Sequence, residues 1–519
     1  MFRIPSKENK HIEFKEKLRV DYHLKEERKQ QLAAQMKHKL EVGKGKTIYL
    51  IGVSDEGKAI GLSEIEFEET LNVLKIVARE NNATIEKVEK FQENGKLIGK
   101  ILITELPKKI KKHLTISVAG HVNHGKSTLI ACLITGKKDE GKHWLYLDTL
   151  PHEIKRNLSA DIHYALLGFK NSKILTLKNP LDKKERKRVV EKAEKIISFV
   201  DLVGHEPWIK TTIRGLVGQN IDYGILVVAA DDGVTHITKE HLGIMLAMEL
   251  PVIICITKVD KVGEERVEEV VDQIDRMLKN VGKIPLRIKE KNDVDAIIDK
   301  LSVVVPIFKT SARTLEGYDL LYYFLNSLKE REKSLDKPFL MYIDKVYNIE
   351  GVGCVVSGSI KQGSLSAGKT LLLGPDEKGE FKEVKAKSIE MHYTRIDKAE
   401  AGLIVGIALK GVKYEEVKRG MILCEKELNP KAIRKFKAEI LVLTHPTKIS
   451  VGYEPVLHCN TIVSAVKIVK MNKKYLKAGD CDVVEMEFKY KPFFLQVNDK
   501  FVFREGKTKG IGTIIEILE

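Results

Sequence analysis

The sequence is sparing in the features that mark secreted, membrane-spanning or metal-stapled proteins. Its 519 residues hold six cysteines, Cys132, Cys255, Cys354, Cys424, Cys459 and Cys481, and no two stand in a CxxC pair. Most lie in apolar, strand-like runs. They therefore read as small buried hydrophobes of a reducing compartment, which excludes a disulfide framework or a zinc ribbon. No run approaches the roughly 18 consecutive apolar residues of a transmembrane helix. The opening MFRIPSKENKHIEFKEK lacks the apolar core of a signal peptide. There is no low-complexity segment. The expectation is a soluble, cytoplasmic, monomeric protein without a membrane partner.

What is present is an ordinary apolar content of 43% and a strong basic excess, formal net charge +16 and pI near 9.2. The length suggests about three to four domains with sizeable cores. The charge suits an anionic partner, RNA first, and equally suits a soluble protein of a basic proteome.

Residues 11–42 are highly charged with apolar positions at helical intervals, and Gly43 and Gly45 stop that helix. TIYLIGV, residues 47–53, predicts a strand. Ser63 and Glu66 form a capping box ahead of an amphipathic helix over 67–78. Two strands, 84–91 and 96–104, are joined by a turn at Asn94-Gly95, and Gly57 and Gly61 are turn residues. Residues 1–112 thus form a small α+β domain in which no chemistry is legible. From 113 to 335 the rhythm becomes strand–loop–helix, with apolar strands at 114–119, 196–200, 225–230, 252–256 and 303–308. That predicts a mainly parallel sheet covered on both faces. Beyond about 336, short strands and glycine turns predict two small β-barrels, 336–430 and 431–519, divided near Asn429-Pro430.

The chemistry lies in the middle segment. Gly120-His-Val-Asn-His-Gly-Lys-Ser127 fits the phosphate-loop pattern G-x-x-x-x-G-K-S/T, with a strand before it and a helix after it. Glycines at 120 and 125 let backbone N–H groups, including those of Asn123, His124 and Thr128, wrap an anion at a helix N-terminus. Lys126 reaches the β- and γ-phosphates and Ser127 offers a hydroxyl to Mg²⁺. The strand over 196–200 ends in Asp201-Leu-Val-Gly204. Asp201 alone would read as a strand cap. Behind a phosphate loop it reads as a Mg²⁺ group, with the Gly204 N–H for the γ-phosphate. Thr257-Lys-Val-Asp260 follows another strand. Asp260 can accept from guanine N1–H and N2–H₂ together, which adenine does not offer. The Lys258 stem can lie over the base, and backbone N–H groups at Ser311-Ala312 can reach guanine O6. Lys-x-Asp by itself is equally a surface ion pair; its order after the other elements gives it weight.

These motifs resemble those of elongation factor Tu and its relatives. GHVNHGKSTL is similar to their GHVDHGKTTL, Asp201-Leu-Val-Gly-His205 to DxxGH, and Glu153–Ser159 to their switch-I segment E-x-x-R-G-I-T. GVGCVVSG at 351–358 resembles the GVGTVVTG of their second domain. Residues 444–447, 452–455 and 501–510 resemble the third. The resemblance covers about 113–519. His152-Glu-Ile154, Leu167-Gly-Phe169, Thr238–Gly243 and TKxD in place of NKxD are similar to the GTP-binding protein 1/2-like branch, which also carries a domain ahead of the GTPase.

The resemblance implies a P-loop GTPase domain and two elongation-factor-type barrels that bind GTP/GDP and Mg²⁺. It implies that Ser159 senses Mg²⁺ and the γ-phosphate, that His205 orients the attacking water, and that Val122 and Leu158 gate His205. Against the family pattern, Asn123 replaces aspartate, Ser159 threonine, Asn157 glycine and Thr257 asparagine. The Thr257 hydroxyl can still tie its loop to the phosphate loop. No arginine is placed as an internal finger, so turnover without a partner is expected at about 10⁻⁴ to 10⁻² per second. The expected function is a GTP switch of translation or RNA surveillance, stimulated by a partner such as the ribosome. Delivery of aminoacyl-tRNA and a GTP-dependent scaffold with incidental hydrolysis are the alternatives. The basic run Lys183–Arg188 reads either as an RNA contact or as a solvated helix face.

Overall fold

The computed structural model describes residues 5, 8, 11–43, 45–81, 83–93, 95–105, 112–147, 161–204, 209–506 and 508–518. The chain divides into two compact units, residues 1–110 and 111–519.

The first unit is a four-stranded sheet of β1 (Ile12–Lys15), β2 (Lys46–Ile51), β3 (Ala83–Glu93) and β4 (Lys96–Glu105), in the order β1-β2-β4-β3. Helices Glu26–Val42 and Glu64–Glu80 supply Met36, Leu40, Phe67, Val73 and Leu74 to a core shared with Tyr49, Ile51, Ile101 and Ile103. The second helix starts at the capping box read from the sequence, with Ser63 and Glu66 bonding each other's backbone. Gly45, Gly57, Gly61 and Gly95 all take positive φ at chain reversals, while Asn94 lies outside the described residues. One expectation is corrected: residues 12–15 are not helical but pair in parallel with β2.

The second unit begins with an eight-stranded sheet. Its strands are β5 (Lys112–Gly120), β6 (His163–Lys170), β7 (Lys173–Leu175), β8 (Lys195–Asp201), β9 (Tyr223–Ala229), β10 (Val252–Thr257), β11 (Ile284–Arg287) and β12 (Val304–Lys309), in the order β11-β12-β10-β9-β5-β8-β6-β7. All pair in parallel except β6 and β7. Alternate residues of each strand enter opposite cores, because strand side chains alternate. Ile116, Val118, Val227 and Cys255 meet helices Lys126–Thr135 and Tyr318–Ser327. Leu226, Val228, Ile254 and Ile256 meet helices Ile209–Val217, His236–Ala247 and Glu264–Lys279. The central strands β8, β9 and β10 are buried on both faces, which is why they read as apolar runs. The strand order reverses about β5, so the loops at the carboxyl ends of β5 and its neighbours open one crevice, the usual ligand position in such sheets.

Two six-stranded barrels follow. In the first, Thr370–Gly374 pairs with both Ile422–Cys424 and Lys382–Met391, which closes the ring. The second is closed by Lys435–Thr444 against Thr508–Leu518. No helix of the described residues is long and apolar enough to cross a membrane.

The basic helix Lys183–Lys192 keeps Lys183, Lys184 and Lys187 exposed and also touches the first barrel. The Lys183 ammonium and the Arg186 guanidinium lie 5.0 and 5.7 Å from the centroid of the Tyr393 ring, on a hairpin of the first barrel. Arg188 donates to the Thr176 carbonyl and to Glu185.

Candidate functional site

The site is built where β5 runs out. Gly120 takes φ +146°, and a Cβ there would stand 2.4 Å from the Val227 carbonyl oxygen, so only glycine lets the chain leave the sheet this close to β9. Asn123 and Gly125 are left-handed, with φ +60° and +86°, and the helix starts at Lys126. Left-handed residues among right-handed ones turn backbone N–H groups inward into an anion-binding concavity, which the helix N-terminus reinforces.

The loops read from the sequence meet here. Ser127 Oγ donates to Asp201 Oδ2 over 2.6 Å, both side chains buried. The buried Lys126 ammonium donates to the His121 carbonyl at 3.0 Å. Gly204 packs directly on the same loop. A Cβ on it would come within 2.4 Å of Lys126 Nζ and 2.6 Å of the Gly120 oxygen, so the Asp201–Gly204 turn and the phosphate loop fit only without a side chain. Thr257 Oγ1 donates to the His124 carbonyl at 2.6 Å, which is the tie expected of a hydroxyl at this position. Lys258 is left-handed, φ +60°, and its ammonium is held at 3.2 Å by Asp231, which also pairs with Lys261. Asp260 follows on a single 3-10 turn with its side chain exposed. Ser311 is buried, and its N–H donates to the Glu316 carbonyl at 3.1 Å. That corrects the reading in which both amides of Ser311-Ala312 face the base: the Ser311 amide is spent inside its own turn. Val122 is half-buried in the phosphate loop. Leu158, Ser159 and His205 lie outside the described residues, as do Asn157 and the rest of the Glu153–Ser159 run.

Two site residues escaped the sequence reading. Asp231 orients Lys258, as above. His241, buried on helix His236–Ala247, accepts the Gly120 N–H at Nδ1 over 3.1 Å. Burial pushes its pKa down to about 3, so it stays neutral behind the Lys126 charge. The one signal for it was its place in the Thr238–Gly243 motif, which carried family likeness but no chemistry.

A hydroxyl and a carboxylate at bonding distance, a buried ammonium and a glycine-lined concavity together suit a metal-bound polyphosphate. A loop with an exposed carboxylate at one end suits a base. Comparison with known proteins agrees. Residues 111–347 match the family model of the elongation factor Tu GTP binding domain, 353–424 that of elongation factor Tu domain 2, and 429–518 that of the elongation factor Tu C-terminal domain. The chain is 35% identical to GTP-binding protein 1 of Xenopus laevis, over 94% of this chain and 76% of that one. It is 32% identical to GTP-binding protein 2 of Mus musculus, over 99% and 88%. Among solved structures, translation elongation factor SelB of Methanococcus maripaludis, in complex with the GTP analogue GppNHp, shares the fold with a TM-score of 0.55 at 22% identity, covering 79% of each chain.

Proposed function

The chain belongs to the translational GTPase superfamily of the elongation factor Tu type, in its GTP-binding protein 1/2 branch, and from that premise we propose that it is a Mg²⁺-dependent, partner-stimulated GTP switch acting on the ribosome or in RNA surveillance. Guanine nucleotide binding and GTP hydrolysis come with the family. The observation that supports the finer reading is the meeting of Ser127, Asp201, Lys126 and Gly204 at the ends of β5 and β8, where Ser127 donates to Asp201, Lys126 to the His121 carbonyl, and Gly204 packs on Lys126.

In this reading the amides of residues 123–128 and the Lys126 ammonium hold the phosphates. Ser127 and Asp201 are hard oxygen donors at bonding distance and fit Mg²⁺. That ion, when bound, neutralises charge on the β- and γ-phosphates. Asp260 reads the guanine edge, Lys258 lies along the base, and the Ala312 amide serves O6. Ser159 senses the γ-phosphate from switch I, and His205 orients the water that attacks in line. Catalysis is then mainly positioning and charge stabilisation. Loss of the last phosphate releases the switch segments around Ser159 and Gly204, an order–disorder readout that the barrels transmit.

The test is single-turnover GTP hydrolysis by the full chain with and without ribosomes, followed by sequencing of RNA cross-linked to the GTP-bound and GDP-bound forms. The expected result is acceleration by about a thousandfold or more, as partners give other GTPases, and RNA captured in the GTP form. Equal rates and identical cross-links in both forms would sink the reading. Tight, GTP-dependent binding of charged tRNA would replace it with aminoacyl-tRNA delivery.

A further inference from the structure

Behind the phosphate loop stands a second cluster that nucleotide binding does not use. The His121 and His124 rings and the Asp232 carboxylate, from the loops after β5 and β9, bring three ligand atoms within 4.8 Å of one another. The His124 side chain is fully buried. Its Nδ1 lies 3.3 Å from the Val227 carbonyl and 3.3 Å from the Ala229 N–H. Its Nε2 faces Asp232 Oδ2 at 3.3 Å without forming a hydrogen bond. The His121 ring stands edge-on to it, centroids 5.2 Å apart.

Nδ1 either accepts the Ala229 N–H, with the ring proton on Nε2, or donates to the Val227 carbonyl; in the second tautomer the buried Nε2 lone pair and a carboxylate oxygen face each other with no proton between them. Two acceptors at that distance repel, and a cation between them removes the conflict. A ring N–H given to a backbone carbonyl is also the habitual support of a metal-ligating histidine. Two imidazole nitrogens and one carboxylate match the three-ligand sets of zinc with an open fourth position. Nitrogen donors select such an ion over Mg²⁺, so this set is chemically distinct from Ser127 and Asp201. Ligands bound at about 2.1 Å in a tetrahedral site stand about 3.4 Å apart. The three atoms therefore close by up to about 1.4 Å when an ion binds, and the Asp232 side chain, 53% exposed, has room to turn toward the imidazoles.

We propose that His121, His124 and Asp232 bind one divalent transition-metal ion of the zinc class. The ion pins the phosphate loop to the loop after β9. That second loop also carries Asp231, the anchor of Lys258, so the metal braces the phosphate and base halves of the pocket against each other.

The test uses the full chain, stripped with a chelator and then saturated with Mg²⁺ and GDP. Equilibrium dialysis against Zn²⁺ should leave one ion per chain, and Co²⁺ should give the intense visible absorption of a tetrahedral site. Both should be lost in Asp232→Asn and in His121→Gln, with Zn²⁺ binding weakened at least about tenfold. Thermal unfolding of both variants without metal should match the wild type, which separates loss of ligand from loss of fold. No saturable Zn²⁺ uptake, or an unchanged stoichiometry and Co²⁺ spectrum in Asp232→Asn, would overturn the inference. The readout is metal content, so a chain that hydrolyses GTP yet takes up no Zn²⁺ refutes this site and leaves the GTP reading standing.

Discussion

At the scale of single residues, the proposed base pocket rests on Asp260. Its carboxylate is exposed at the end of a turn that the left-handed Lys258 fixes and Asp231 braces. An acceptor pair in that place matches the N1–H and N2–H₂ of guanine. Asp260→Asn replaces one acceptor with a donor and leaves an unmatched group against the amino edge, while xanthine offers a carbonyl there. The expected outcome is a GTP affinity lower by about tenfold to a hundredfold and a preference for xanthosine nucleotides, since one mismatched hydrogen bond costs about 1–3 kcal/mol. Titration with fluorescent guanine and xanthine nucleotides reads it, and an unchanged guanine preference would refute the base pocket. Gly120, Lys126, Asp201 and Asp260 were legible in the sequence because each sits in a short motif whose spacing its chemistry dictates. Asp231 and His241 were not. Their partners, Lys258 and the Gly120 amide, are 27 and 121 residues away, and no local pattern announces a contact of that separation.

At the scale of elements, the informative helices are those beside the switch segments. Helix Ile209–Val217 follows residues 205–208 and carries Arg214 toward the first barrel. There Arg214 Nε stands 3.4 Å, and Arg419 Nε 3.3 Å, from one oxygen of Asp344, whose side chain is only 3% exposed. Arg214 also reaches Asp161, just beyond the other switch segment, and Asp161 pairs with Lys345 of the barrel. Both switch-flanking segments are thus tied to one barrel strand through a shared carboxylate network. Removing a buried charge while leaving its partners costs about 3–5 kcal/mol. Asp344→Ala should lower stability by that order and loosen the barrel from the GTPase domain, seen as a lower unfolding midpoint and faster proteolysis near residues 328–338. A midpoint within experimental error of the wild type would show that the network carries no load. Five of the six parallel strands of the eight-stranded sheet were readable as apolar runs, but β11, β1 and β6 were not. β1 is four residues in a charged stretch, and only its pairing with β2 makes it a strand. β6 contains Leu167-Gly-Phe169, which family likeness drew toward switch I although it lies antiparallel to β8. Likeness located the segment without its conformation.

At the scale of the molecule, the GTPase domain and the first barrel are joined by a buried polar relay. Ser198 Oγ on β8 lies 2.8 Å from His113 Nε2 on β5 and 2.8 Å from His392 Nε2, on the barrel hairpin that also presents Tyr393 to Lys183 and Arg186. Burial pushes His392 down to about 3 and holds His113 well below the ordinary imidazole range. The nearby cations Arg186 and Lys333 act in the same direction. The neighbouring carboxylate Glu330, which accepts the His113 N–H, is itself lowered and titrates only at more acid pH. In the opened or unfolded chain both histidines titrate near 6.5. Between about pH 6.5 and 3 the open state therefore binds more protons than the docked one, and stability rises with pH across that window. The contribution is complete above about 6.5 and is lost as the pH falls. At pH 5 the shift of His392 alone costs about 2 kcal/mol of docking, and that of His113 adds in the same direction. Hydrogen exchange over residues 382–396 should therefore accelerate from pH 7 to pH 5 beyond the intrinsic chemistry of exchange. His392→Asn keeps the left-handed backbone that asparagine tolerates and should remove roughly half of that dependence. An equal slope in the variant would place the pH sensitivity elsewhere. The consequence for a switch is that this hairpin contact is a neutral hydrogen-bonded seam, set apart from the ion pairs that Asp344 and Lys345 make elsewhere on the same barrel. Its strength should follow pH closely and salt hardly at all, the reverse of the exposed Lys500–Glu249 contact made by the second barrel.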